Sequence, residues 1–390
     1  MKNLHPTTKA IRTQADRTEQ MEHSSPLFLT SSFCYNNAEE MRAAFADEIE
    51  ANIYTRFSNP TVQEFIDKIC VLEGAEAGFA TASGMSAVFA SFMALMKQGD
   101  HLVACKSIFG STHSLITKFL PRYGIEYTYV DANKPEEWEK AIRPNTKMIY
   151  LETPTNPALE IIDIEAVVTL AKKHHIIVNV DNCFATPIGQ RPIDYGVDLV
   201  VHSATKWIDG QGRVLGGIAV GRKDLINEIY LFCRSTGPSM SPFNAWILSK
   251  ATDTLHVRME RHASNALHLA KSLEGHPKIA FVIYPFLPSH PQHAIAQKQM
   301  KNGGGIVSFE LKGGIAAGIK FLDSLKLLSL TANLGDSRSI ASHPASTTHG
   351  KLTDDERKDV GITPGLIRVS VGLEYVDDIL ADILQALGPN

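Results

Sequence analysis

VDLVVHSATKWIDGQGRVLGG, residues 197–217, carries the reading from which the fold follows. The largely apolar run Val197–Val201 predicts a buried strand. Small polar residues follow it, and then Lys206, flanked by Ser203, Thr205 and Trp207. A surface lysine needs no such setting. The run is one of six strand candidates in this part of the chain, with HLVAC, IEYTYV, KMIYLE, IIVNVD and GGIAVG. Helical patterns alternate with them, over Ser111–Tyr123, Ile164–His174 and Asp224–Cys233. Strands alternating with helices predict an α/β fold whose mostly parallel sheet is covered on both faces. In such open sheets ligands sit at the carboxyl ends of the strands, where Lys206 falls.

Outward from there the chain divides by texture. Residues 1–60 lack sustained periodicity and predict an arm with one short helix near Asn37–Ala46. Val62, Phe65, Ile66, Ile69 and Leu72 recur at helical spacing up to Gly74, a stop signal. The stretch beginning SGMSAVF predicts a second helix, apolar nearly all round. Residues 61–245 are therefore expected to form the large domain. From about Pro242 the pattern changes to a long helix over Ala251–His276, then GIVSFEL and LIRVSV between helices. Residues 246–390 predict a smaller C-terminal α+β domain. The polar stretch Ser346–Gly361 predicts a mobile loop.

Composition narrows the function. The 390 residues are 44% hydrophobic and 21% charged, ordinary for a globular protein, with net charge −4. That balance gives no polybasic argument for nucleic acid or a membrane surface. No apolar run is long enough to span a bilayer, and the polar N-terminal stretch has no signal-peptide core. The five cysteines are scattered without a CxxC pair, which predicts reduced thiols in the cytoplasm and no zinc site.

Four groups lie at predicted strand ends or in the arm, and each has two readings. Lys206 is a solvated lysine, or a desolvated one whose lowered pKa makes it a nucleophile for Schiff-base chemistry. Asp181 caps the turn after IIVNVD, or holds a proton on a heterocyclic nitrogen. Ser83 caps a helix, or Ser83, Gly84 and Met85 present backbone N–H groups to a phosphate. Arg56, near Tyr54 in YTRFSNPT, is a solvated arm residue or half of a phosphate clamp. A phosphate cradle, an aspartate and a Schiff-base lysine are together the parts that hold pyridoxal phosphate.

YTRFSNPT, TASGMSA, YLETPTNP, VDNCFATP, HSATKW and IRVSVGLE occur in this order. Together they resemble the cystathionine and methionine metabolism family of pyridoxal-phosphate enzymes, from about residue 5 to the C-terminus. The resemblance implies a PLP-dependent transferase-like fold and a homotetramer of two tight dimers, with Tyr54 and Arg56 reaching a neighbour's phosphate. It implies that Lys206 carries the cofactor and Asp181 faces the pyridine nitrogen. Ser203 and Thr205 then lie on the phosphate side with Ser83, Gly84 and Met85. Asn156 lies beside the cofactor and the substrate carboxylate, which Arg368 binds. Two positions depart from many relatives. Phe109 stands where a tyrosine covers the ring, and Asn333 precedes LG where several have serine.

After the lysine this chain reads DGQGR, Asp209–Arg213, similar to the branch that sulfhydrylates O-succinylhomoserine. The expected reaction is therefore γ-replacement: O-succinyl-L-homoserine and sulfide give L-homocysteine and succinate, a step of methionine biosynthesis. The same residues would serve cystathionine γ-synthase, O-acetylhomoserine sulfhydrylase or methionine γ-lyase chemistry. Arg213 either binds the succinyl carboxylate or begins the next strand and pairs with a surface acid.

Overall fold

Helix Pro60–Glu73 begins where the sequence punctuates it. Asn59 accepts a hydrogen bond from Thr61 N at 2.9 Å, a proline opens the first turn, and Gly74 ends it at φ 78°. The computed structural model describes residues 4–132, 134–347, 350, 353, 357 and 361–389. Most of the stretch expected to be a mobile loop, Ser346–Gly361, lies outside the described residues.

Seven strands form the first sheet: β1 Ala77–Thr81, β2 His101–Cys105, β3 Glu126–Val130, β4 Thr146–Glu152, β5 Ile177–Asp181, β6 Leu199–Ser203 and β7 Gly217–Gly221. Their order is β1-β7-β6-β5-β4-β2-β3. Strands β2 to β6 run parallel, and β7 lies antiparallel between β6 and β1. The progression reverses between β2 and β4, which makes a crevice at their carboxyl ends. The sheet's aliphatic residues, Val103, Ile149, Val180, Val200 and Ile218 among them, are fully buried. Each contributes about 1.5–3 kcal/mol on leaving water.

A second sheet follows, with β8 Ile279–Ile283, β9 Ile306–Leu311, β10 Ser329–Leu330, β11 Ile340–Ser342 and β12 Leu366–Ser370, in the order β10-β11-β12-β9-β8. Helices Leu255–Leu273, Gly314–Ser324 and Val376–Leu387 pack with it around Phe309, Phe321, Ile367, Ile379 and Ile383. No helix among the described residues is long and apolar enough to cross a membrane.

The six strand candidates of the first sheet are all strands, and β1 joins them unannounced. Two helices differ from expectation. The stretch Ala251–His276 is not one helix: helix Pro242–Thr252 ends and Leu255–Leu273 begins afresh. Asp253 turns to meet the buried Lys68 Nζ at 2.7 Å, and the carbonyl of Ala251 goes to Thr254 N and Arg258 Nη2 instead of continuing the helical ladder. The segment Ser111–Tyr123 splits into an α-turn, a π-turn and a 3₁₀ turn. Pro121 there has no N–H with which to extend an α-helix. The arm holds two helices rather than one, Pro6–Arg12 and Ala38–Phe45, the latter capped by Asn37.

Candidate active site

Three strand ends deliver the polar groups. Asp181 closes β5; its Oδ1 accepts from Cys183 N at 3.0 Å and its Oδ2 from the Tyr150 hydroxyl at 3.2 Å. Burial raises the Asp181 pKa, opposed by the Cys183 N–H, the charge of His202 and Tyr150. Glu152 closes β4 and is buried. Its Oε2 accepts from Phe109 N at 2.8 Å, which fixes the loop after β2 across the crevice. Burial first, and then the neighbouring Asp181, push the Glu152 pKa well above the carboxylate range.

Ser203 closes β6, and Lys206 stands in the turn beyond it. The Lys206 ammonium donates to Asn333 Oδ1 at 2.6 Å. Desolvation and the positive Arg368 lower its pKa, partly offset by Cys183. The turn is held from below by Arg258, whose Nη1 donates to Trp207 O at 2.6 Å and Nη2 to Ile208 O at 3.0 Å.

A helix start, where the sequence predicts a phosphate, is brought against this turn. Ser83 caps helix Gly84–Leu95 through Ser86 N at 3.2 Å. A Cβ at Gly84 would lie 2.6 Å from Ser203 Cβ and 2.8 Å from its Cα. Only glycine lets the helix start approach β6 so closely. Met85 follows in the first turn. Thr205 Oγ1 accepts from Gly216 N at 3.1 Å, tying the turn to the residue before β7.

From the second sheet, β12 contributes Arg368. It is 5% exposed. Its Nη1 donates to Asn156 Oδ1 at 2.9 Å and its Nη2 to Asn333 O at 3.2 Å. Its Nε is buried without a partner, and desolvation lowers its pKa to about 10. A buried guanidinium with its Nε–H unmet and no ion pair among the described residues is suited to a carboxylate ligand. Together, the nucleophilic lysine, the carboxylate at β5, the helix start and this cation fit a phosphorylated pyridine aldehyde and an amino acid.

Lys206, Asn333, Arg368 and Asn156 thus form one hydrogen-bonded chain, with Asp181, Ser203 and Ser83–Met85 around it. Phe109 is anchored at the crevice through its backbone N, and its side chain is exposed. Three expected residues stand elsewhere within the single chain. Tyr54 and Arg56 line a surface cleft of about 480 Å³ with Ser239–Pro242. Arg56 lies over the rings of Tyr54 and Phe57, at 5.4 and 4.9 Å, and contacts the carbonyl of Arg234. Arg213 folds back on the buried Asp209, donating from Nε to Oδ1 at 2.9 Å and from its backbone N to Oδ2 at 2.7 Å. Sequence reasoning reached Glu152 only as the polar end of the strand run KMIYLE, without a role of its own, and missed Tyr150 and Arg258 as contributors. Glu152 ends a predicted strand and was open to detection. The other two act from a strand interior and from the side of a helix, where no local signal marks them.

The sequence pattern of the Cys/Met metabolism PLP-dependent enzymes matches residues 7–388. An O-succinylhomoserine sulfhydrylase of Pseudomonas aeruginosa is 46% identical over 97% of this chain and 94% of its own length. An L-methionine gamma-lyase of Porphyromonas gingivalis is 45% identical, over 93% and 92%. The crystal structure of a putative O-acetylhomoserine (thiol)-lyase from Campylobacter jejuni, containing N'-pyridoxyl-lysine-5'-monophosphate, superposes with a TM-score of 0.95. It is 35% identical and covers 99% of this chain and 100% of that one.

Proposed function

The chain belongs to the Cys/Met metabolism PLP-dependent enzymes, and from that membership we propose that it carries out γ-replacement on O-succinyl-L-homoserine, with sulfide as nucleophile and L-homocysteine and succinate as products. One observation carries the amino-acid part of this reading. A buried, incompletely bonded guanidinium, Arg368, is joined through Asn333 to a desolvated lysine amine. This arrangement supports a receptor for an α-carboxylate beside a group able to move the proton on the neighbouring carbon. The choice of ester and nucleophile is supported by the likeness to the sulfhydrylase and by the DGQGR turn.

Pyridoxal phosphate, when bound, supplies the electron sink for carbanion chemistry at the substrate's Cα. Lys206 would hold it through Nζ, Asp181 would face its ring nitrogen, and Ser83–Met85 with Ser203 and Thr205 would take its phosphate. The protein's own steps are proton handling and orientation. Arg368 and Asn156 fix the substrate carboxylate, so that Cα presents one face to Lys206. The lowered pKa keeps more of the Lys206 amine in its free-base form, ready to take the Cα proton and later return one. Asn333 Oδ1 accepts one ammonium hydrogen and so orients Nζ. Asp181, held by Cys183 N and Tyr150, would aim its carboxyl group at the ring nitrogen. Phe109 carries no hydroxyl, so the proton handling proposed here rests on Lys206.

The arm supports a homotetramer of two tight dimers. Tyr54 and Arg56 share no hydrogen bond with the Lys206 group, and the arm exposes apolar Met21 and Leu29. Both facts fit an arm that completes a neighbour's site. Five free thiols fit a reducing cytoplasm.

The test is purified protein with O-succinyl- or O-acetylhomoserine, each with sulfide or cysteine. Homocysteine from the succinyl ester and sulfide is the expected main product. A second reading, methionine γ-lyase, is favoured by the Porphyromonas gingivalis relative; α-ketobutyrate from methionine alone, at a higher specificity constant, would replace the first.

A further inference from the structure

Beneath the strand ends runs a second, fully buried tier of polar side chains. Glu73, the last residue of helix Pro60–Glu73, has no exposed surface. Its Oε1 lies 2.7 Å from His202 Nε2 and accepts from Asn182 Nδ2 at 3.0 Å. Asn182 also donates to Gln190 O at 2.9 Å, and Gln190 Nε2 donates both to Asn182 Oδ1 at 3.1 Å and to Thr153 O at 2.9 Å. Gln299, which ends helix His293–Gln299, donates to Gln190 Oε1 and to Ile162 O, both at 3.0 Å. One connected chain therefore links the ends of β4, β5 and β6 to a helix of the C-terminal half.

The placement of its members is regular. Thr153 follows Glu152, Asn182 follows Asp181, and His202 precedes Ser203. Successive side chains of a strand leave the sheet on opposite faces. Whatever fixes Asn182 and His202 on the far face thus fixes the direction in which Asp181 and Ser203 leave on the near face. A single carboxylate oxygen bonds both. Burying a carboxylate is costly, and apolar packing would fill a helix end more cheaply. Direction, more than cohesion, is what such a clamp can contribute. His202 also lowers the pKa of Asp181 by its charge.

We propose that Glu73 is a positioning residue, which clamps Asn182 and His202 so that Asp181 and Ser203 point into the cofactor site. The inference rests on the assignment of Asp181 and Ser203 to the cofactor.

The experiment compares Glu73→Ala, Glu73→Gln and Ile69→Ala, the last a core truncation on the same helix outside the site. Hydrogen exchange is followed over residues 176–186 and 199–207, with cofactor bound and after its removal. Circular dichroism of the bound cofactor and steady-state kinetics complete the set. Glu73→Ala should speed exchange in both segments by about tenfold or more beyond Ile69→Ala. It should lower kcat by about 10- to 100-fold with KM changed less than about threefold, and alter the cofactor's dichroism. Glu73→Gln keeps an oxygen for both donors and should restore all three to within about threefold. If Glu73→Ala does not fold, Asn182→Ala, which removes one arm of the clamp, should give the same pattern at smaller size. Loss no greater than that of Ile69→Ala at equal melting temperature, for whichever variant folds, overturns the proposal. Borohydride reduction of the unmodified protein separates the premise: no cofactor fixed on Lys206 would refute the site assignment, while exchange in the cofactor-free protein still reports on the clamp.

Discussion

Arg368 is buried and Lys206 partly buried, and neither forms an ion pair among the described residues. Their cost in desolvation is offset when ligands arrive, so their removal should be felt in binding and chemistry more than in folding. Lys206→Ala should keep its melting temperature within a few degrees, roughly the shift of a surface change, yet retain no cofactor after borohydride reduction. Cofactor fixed on another residue with near-normal turnover would remove Lys206 from its role. Arg368→Lys keeps the charge but loses the fork. A charged hydrogen bond is worth about 1.5–3 kcal/mol, so KM for the amino-acid substrate should rise roughly 10- to 100-fold. Arg213→Ala should cut the specificity constant for the succinyl ester by roughly one to two orders of magnitude and spare the acetyl ester. Its bond to Asp209 supplies the competing outcome, equal losses on both. Lys206 and Asp181 were legible because a charged group just past an aliphatic strand is conspicuous. Glu73 was not, since a glutamate at the end of an amphipathic helix looks solvated until the sheet covers it.

At the scale of elements, the site depends on how closely a helix start approaches a strand end. Gly84→Ala would drive a methyl into the Cα of Ser203. Overpacking of this kind costs about 1–3 kcal/mol, and here it would part the helix start from the end of β6, the two halves of the proposed phosphate cradle. Cofactor affinity should fall along with melting temperature, measured by fluorescence titration and calorimetry; unchanged affinity would place the phosphate elsewhere. Strands β2 and β4 to β7 could be read because each is centred on an apolar run bounded by polar or glycine residues, and β3, EYTYV, because aromatic and β-branched residues favour strands. Strand β1, AGFAT, could not: alanine and glycine carry little strand preference, and tertiary pairing with β7 decides its state. The break at Asp253 was hidden for a related reason. Its cause, Lys68, is distant in sequence and adjacent only in space.

For the whole molecule, the arm poses the first test. If Tyr54 and Arg56 complete a neighbour's site, neither Arg56→Ala nor Lys206→Ala protein should be active alone, but a mixture should regain partial activity. Each hybrid dimer would have one site with both residues. No recovery after verified subunit exchange would return the arm to a structural role. The pH dependence of stability poses another. His101 is buried between Thr128 and Thr146, at 2.9 and 2.8 Å. Burial first, and then Arg143, lower its pKa to about 4. The unfolded chain takes up that proton near pH 6.5 and the folded one only near 4, so its contribution is complete above 6.5 and is lost as pH falls through that window. His101→Gln should therefore show a smaller drop in melting temperature between pH 7 and pH 5 than the parent; parallel profiles would mean the imidazole titrates normally. The second sheet has one more consequence. Strand β12 lies at the centre of that sheet, between β9 and β11, yet it is the last of the five to be made. On the ribosome, a nascent chain would display the lysine and the helix start for some 160 residues of synthesis before the arginine emerged, roughly 10–30 s at ordinary elongation rates. During that interval the growing polypeptide would have the groups proposed to hold an aldehyde but not the one proposed to select an amino acid, so the arrival of β12 is what would confer selectivity.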